Sequence, residues 1–156
     1  MNRLNIFFLV VVAFVALSCS KTIKGDEKIV EEGKDILPDL INPMTKECFL
    51  TRISDYENDQ NWNYLSDKPS VIYFYSDWCR PCKSMNPIIS DISLEYASLI
   101  NFYKVNVDED KELVKLFSVQ GIPSFVFMAK TVLPKIVVGV QTKDDLKVNI
   151  SRIISE

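Results

Sequence analysis

The hydrophobic pattern of this chain changes period several times, and each change marks a new element. Residues 1–19 carry Arg3 and then an uninterrupted apolar run from Ile6 to Leu17, the charge and length of an export signal. A permanent membrane span needs about 20 apolar residues, so the run is short for one. Residues 20–43 are rich in Lys, Glu, Asp and Gly, with Pro38 and Pro43 near the end, and read as a solvated tether. Ile36, Leu37, Leu40 and Ile41 are placed to dock part of it. A single domain over residues 44–156 is expected to follow.

Within that domain Thr45 is positioned as an N-cap. Phe49, Leu50 and Ile53 give the next helix an apolar face, with Cys48 just off it as a small, half-buried residue. Residues 58–67 form a polar connection anchored by Trp62 and Leu65. The run Val71-Ile72-Tyr73-Phe74-Tyr75-Ser76 is aromatic and β-branched, which predicts a buried strand. Met85, Ile88, Ile89, Ile92, Tyr96 and Leu99 then recur at helical spacing. Residues 101–107 predict a second strand, and Asp108 and Asp110 open a short helix packed through Leu113, Val114 and Phe117. Residues 124–128 and 136–140 predict two strands joined by a turn over 130–134, hence a hairpin. Gly139 in the last strand suggests close backbone approach or a bulge. Thr142-Lys143-Asp144-Asp145 has the form of a capping box, and Leu146, Ile150, Ile153 and Ile154 line the final helix. Strands separated by helices, then a hairpin and a helix, describe an α/β sandwich around a mixed sheet.

Charge and composition remove several function classes. Lys and Arg number 18 against 21 Asp and Glu, without the basic stripe of a nucleic-acid binder. The chain contains no histidine, so Ser-His-Asp and Cys-His hydrolases fail, as does imidazole metal ligation.

The chemistry concentrates in Trp78-Cys79-Arg80-Pro81-Cys82, where the predicted strand ends and the helix begins. Unpaired backbone N–H groups and the positive helix end favour a thiolate there. Pro81 has no N–H to leave unpaired and pre-sets the helical φ. Cys79, nearer the loop, is the expected nucleophile, and Cys82, one turn in, the resolving thiol. A CxxC pair can also be half of a zinc site, but the only other cysteines are Cys19 and Cys48, so a redox pair without metal is the reading the count favours. A second redox or dimerising role for Cys48 has no support in the pattern.

The chain resembles the thioredoxin family through Trp78-Cys79-Arg80-Pro81-Cys82-Lys83, Pro87, Lys104-Val105-Asn106-Val107-Asp108, Gly121-Ile122-Pro123-Ser124 and Gly139, in that order across roughly residues 45 to 156. The resemblance implies a thioredoxin fold, a central mixed β-sheet flanked by helices. It also implies thiol–disulfide exchange through a Cys79/Cys82 dithiol–disulfide cycle without a bound cofactor. Pro123 is implied to be cis and to lie against the disulfide, with Gly121, Ile122 and Trp78 forming an apolar patch for an extended substrate segment. Arg80 replaces the usual glycine; a positive charge beside Cys79 would favour its thiolate and make the couple somewhat more oxidising, unless it points into water and is screened. Tyr73 is a departure, because most family members place there a buried aspartate that relays the resolving thiol's proton. A tyrosine is a poor base at neutral pH. Lys104, the usual partner of that aspartate, is retained, so water or Lys104 handles the Cys82 proton, or the step is slower.

Ala16-Leu17-Ser18-Cys19 resembles the bacterial lipobox, which implies lipidation of Cys19 as a new N-terminus; Ala16-x-Ser18 also fits ordinary cleavage. The expectation is therefore an exported, periplasmic thioredoxin-like protein, lipid-anchored and monomeric. It would reduce or isomerise disulfides of exported proteins and receive electrons from a membrane relay, with no nucleic-acid partner. The alternatives are a protein-disulfide oxidase, a thiol reductant for cytochrome c maturation, and a non-catalytic binding lipoprotein.

Overall fold

The computed structural model describes residues 40–58 and 62–155. The expected signal, Cys19 and the tether up to residue 39 lie outside them. The described elements run β1 (Ile41–Pro43), α1 (Lys46–Arg52), β2 (Ser70–Tyr75), α2 (Arg80–Glu95), β3 (Asn101–Asn106), α3 (Lys111–Leu116), β4 (Ser124–Ala129), β5 (Val132–Val138) and α4 (Lys143–Ile154). The five strands form one mixed sheet in the order β1-β3-β2-β4-β5. β3 pairs in parallel with β1 and β2, while β4 runs antiparallel to both β2 and β5. This is the thioredoxin fold.

Side chains alternate across a strand, and β2 shows how that builds two cores. Val71 and Tyr73 point to the face covered by Met85, Ile89 and Ile92 of α2 and Leu146, Ile150 and Ile153 of α4. Ile72 and Phe74 point to the other face, against Phe49 of α1 and Leu113 of α3. The central strand is therefore buried on both sides, which is why it reads as a continuous apolar run rather than an alternating one.

Several helix ends follow local rules. The Thr45 hydroxyl accepts from the Cys48 N–H at 3.3 Å. Asp110 caps α3 by accepting from the Leu113 N–H at 2.9 Å, and its other oxygen takes the Lys46 N–H at 2.7 Å. Thr142 and Asp145 form a complete capping box.

The structure corrects the sequence reading at several points. Ile41–Pro43, assigned to the tether, forms an edge strand in register with residues 102–104, so the sheet begins before Met44. Leu65 is exposed, and the anchor of that connection is the buried Tyr64, whose hydroxyl donates to the Lys68 carbonyl and sits 2.7 Å from Ser70 Oγ. Trp62 does pack, against Phe49 and Phe117. Leu99 falls beyond the end of α2 and is exposed; Ile100 is buried in its place. β5 starts at Val132, not Ile136, and absorbs Pro134 through an irregularity opposite Phe127 and Ala129; an edge strand tolerates a residue without an N–H. Cys48 is buried rather than half-buried, in the cluster with Phe49, Ile72 and Phe74, and is not a free thiol. Gly139 is needed for its φ of +98°, with open space where a Cβ would stand, so neither close approach nor a bulge explains it.

Candidate active site

The end of β2 delivers the chain into a tight turn, in which the Ser76 carbonyl accepts from the Cys79 N–H at 3.2 Å. Cys79 is the N-cap of α2, with Arg80 and Pro81 as its first two helical residues. Cys79 and Cys82 are joined in a disulfide with Cα atoms 5.2 Å apart. The Cys82 N–H points at Cys79 Sγ, 3.1 Å away. A backbone N–H aimed at sulfur, at the positive end of a 16-residue helix, stabilises a thiolate at Cys79 once the pair is reduced. No acidic residue lies in the first turn of α2 to oppose it. Both cysteines are buried in the disulfide form.

Tyr73 sits beneath the pair. Its hydroxyl donates to the Cys82 carbonyl at 3.1 Å. Its ring stacks on Tyr75 at 5.6 Å and on Phe125 at 5.2 Å. Burial pushes its pKa well above that of free tyrosine, so the phenol stays protonated at neutral pH. Lys104 is half-buried, in register with Tyr73 on β2 and Pro43 on β1, and its carbonyl accepts from the Met44 N–H. The carboxylate that would accompany it at position 73 is replaced by a packed ring. Arg80 is exposed and makes no ion pair among the described residues, so its charge reaches Cys79 partly screened by water.

The Ile122–Pro123 peptide bond is cis, as the resemblance implied. The loop is pinned on both sides: the Ser124 hydroxyl donates to the Gly121 carbonyl at 2.5 Å, and the Gly139 N–H donates to the Pro123 carbonyl at 2.7 Å. Ile122 packs against both cores at once. Between this loop and Trp78 lies an open groove of about 270 Å³, walled by Val107, Val114, Val119, Gly121 and Ile122.

Trp78 is 69% exposed, more than any large apolar side chain among the described residues except Leu133 and Val148. Its indole N–H donates to Asp108 Oδ2 at 2.7 Å, which fixes the ring as one wall of the groove. In the sequence Asp108 reads as a helix-opening residue and as the end of the Lys104–Asp108 motif; its partner Trp78 lies 30 positions away, and no local signal joins them. Ser76 reads in the sequence as the end of the strand and Asp77 carries no local signal, yet both lie just ahead of the pair, beyond the end of β2 at Tyr75. Among the described residues no cluster of His, Cys, Asp or Glu is arranged to hold a metal ion.

A dithiol closing and opening at the mouth of a helix, beside an apolar groove, defines a thiol–disulfide oxidoreductase. The Thioredoxin family model matches residues 51–152, and the chain belongs to the thioredoxin family. It is 37% identical to a thioredoxin of Borreliella burgdorferi over 65% of this chain and 86% of that one. It is 29% identical to the chloroplastic M-type thioredoxin of Brassica napus, over 62% of this chain and 56% of that protein. Among solved structures it is similar to the germline-specific thioredoxin Deadhead of Drosophila melanogaster, with a TM-score of 0.52, 28% identity and coverage of 56% and 83%. Chloroplastic thioredoxin z shares the fold, with a TM-score of 0.61 at 18% identity over 74% and 96%. Members of this family act on disulfide-containing proteins.

Proposed function

We propose that this chain reduces, or isomerises, the disulfides of exported proteins. Cys79 thiolate attacks a substrate disulfide and forms a mixed disulfide. Cys82 then attacks Cys79 sulfur, releasing the reduced substrate and restoring the Cys79–Cys82 bond. Trp78, Gly121, Ile122 and Pro123 receive an extended substrate segment, and Arg80, Pro81, Tyr73 and Lys104 shape the environment of the pair. The observation that carries this reading is the Cys82 N–H directed at Cys79 sulfur, which supports Cys79 as the thiol held ionised.

Export rests on the apolar run Ile6–Leu17 that ends at Ala16-Leu17-Ser18-Cys19. In that setting Cys19 carries the lipid anchor, the protein acts as a monomer, and electrons come from a membrane relay protein, because soluble nicotinamide-dependent reductases are cytoplasmic. Intact-mass analysis of the full chain recovered from bacterial membranes tests this. A product beginning at lipidated Cys19 supports it, and an unprocessed cytoplasmic chain overturns it.

Insulin reduction by the full chain tests the chemistry. Cys79→Ser is expected to abolish turnover and Cys82→Ser to trap covalent substrate adducts. Full activity in Cys79→Ser overturns the nucleophile assignment. Equilibration with glutathione decides direction: a potential somewhat above the roughly −270 mV of thioredoxin fits a reductase, whereas a value near about −120 mV means an oxidase.

A further inference from the structure

Exchange through Cys79 and Cys82 leaves one proton to be accounted for. Cys82 is only 1% exposed, and an apolar setting holds a thiol protonated, yet it must become a thiolate before it can attack Cys79. The residue beneath it offers no base. Tyr73 already donates its hydroxyl hydrogen to the Cys82 carbonyl and is clamped between two aromatic rings.

Cys82 nevertheless borders an opening. A crevice of about 300 Å³ runs between the end of β2 and the first turns of α2, and Cys82 forms part of its wall with Tyr75, Ser76, Asp77, Lys83 and Asn86. That is room for several waters at about 30 Å³ each. Ser76 is 2% exposed, and its hydroxyl has no hydrogen-bond partner among the described residues. A buried hydroxyl without a partner is costly, and native proteins keep few of them without a use. Asp77 and Asn86 are exposed, and Asp77 is the crevice's one carboxylate among the described residues.

We propose that this crevice is the proton exit of Cys82, with the Ser76 hydroxyl as relay and the Asp77 carboxylate at the mouth as acceptor. The inference rests on the exchange reading above. In the step, the Cys82 S–H bond breaks and its proton passes to the Ser76 oxygen while the hydroxyl's own proton moves on, directly or through water, to Asp77. The Cys82 thiolate attacks Cys79 sulfur. The new Cys79–Cys82 bond forms as the Cys79–substrate bond breaks, and the departing substrate thiolate carries the electron pair and takes a proton from solvent.

The other groups around the pair do not serve. Lys83 and Arg80 on α2 and Lys104 on β3 are donors without acceptor capacity while charged. Tyr75 is stacked on Tyr73. β4 and α4 contribute Phe125, Leu146 and Ile150 to the cluster around Cys82, all apolar.

An aromatic disulfide that releases a coloured thiolate separates the two half-reactions. With the reduced full-length protein, the first thiolate released reports attack by Cys79 and the second reports resolution by Cys82. Measured between pH 5.5 and 9, Asp77→Asn is expected to slow the second phase about tenfold at pH 7 and raise its midpoint by about one unit. The first phase should stay within about twofold, because an exposed charge is screened. Ser76→Ala should act in the same direction, and Asp77→Glu should restore the wild-type profile. If Ser76→Ala does not fold, the exposed Asp77 variants decide. Wild-type second-phase profiles in Asp77→Asn overturn the proton exit, whereas a wild-type protein with no first phase overturns the exchange reading instead.

Discussion

Replacing Tyr73 by phenylalanine separates packing from chemistry beneath the active pair. The change removes one hydroxyl and one hydrogen bond, 3.1 Å to the Cys82 carbonyl. It keeps the ring and both stacking contacts, at 5.6 Å and 5.2 Å. The Cys82 carbonyl is not orphaned, because it lies inside α2 and the N–H four residues on still reaches it. The cost is then the net worth of one internal hydrogen bond, about 1 kcal/mol. Tyr73→Ala removes the ring from a cluster in which it is 4% exposed, and the cavity should cost about 3–5 kcal/mol. Urea denaturation of the oxidised protein is the assay, with unchanged m-values as the check that only stability has moved. For Tyr73→Phe the melting temperature should fall by about 4 °C. Insulin reduction by Tyr73→Phe should keep the wild-type pH profile. A loss above about 3 kcal/mol, or a displaced profile, would refute the reasoning and put the phenol into the proton transfer.

Two further outcomes follow from the same structure. Burial raises the pKa of Tyr73 and Tyr103 and pushes Tyr64 up to about 12, against the opposing hydrogen bonds from Ser70 and Ser66. Above about pH 10 the unfolded tyrosines lose protons that the folded ones keep. Stability should thus be full below about pH 10 and fall as pH rises, by roughly 1 kcal/mol per unit for Tyr64 alone; flat stability to pH 12 in chemical denaturation would contradict this. Asp108→Ala frees the exposed Trp78 indole, so stability should change by less than about 0.5 kcal/mol. KM for a protein disulfide should rise roughly fivefold, the equivalent of about 1 kcal/mol, and Asp108→Asn, which keeps an acceptor oxygen, should rescue it. Equal KM values for the alanine variant and wild type would remove Trp78 orientation from substrate binding.

Much of this protein was determined locally. Periodicity marked β2, α2 and α4, because the face a residue turns inward is set by its own backbone geometry. The cysteine pair at a strand–helix junction, the Thr45 cap and the Thr142–Asp145 box involve residues within a few positions of one another, so their chemistry is written in short stretches. Tertiary structure decided what depends on distant partners. Ile41–Pro43 becomes a strand only because β3 offers a free edge, and no propensity of three residues predicts that. Tyr64 rather than Leu65, and Ile100 rather than Leu99, is buried because the path of an irregular connection is set by what it packs against. Trp78 is held by Asp108 across 30 positions. The opening beside Cys82 exists only once strand end, turn and helix are brought together, since a cavity belongs to the space between elements and to none of them alone.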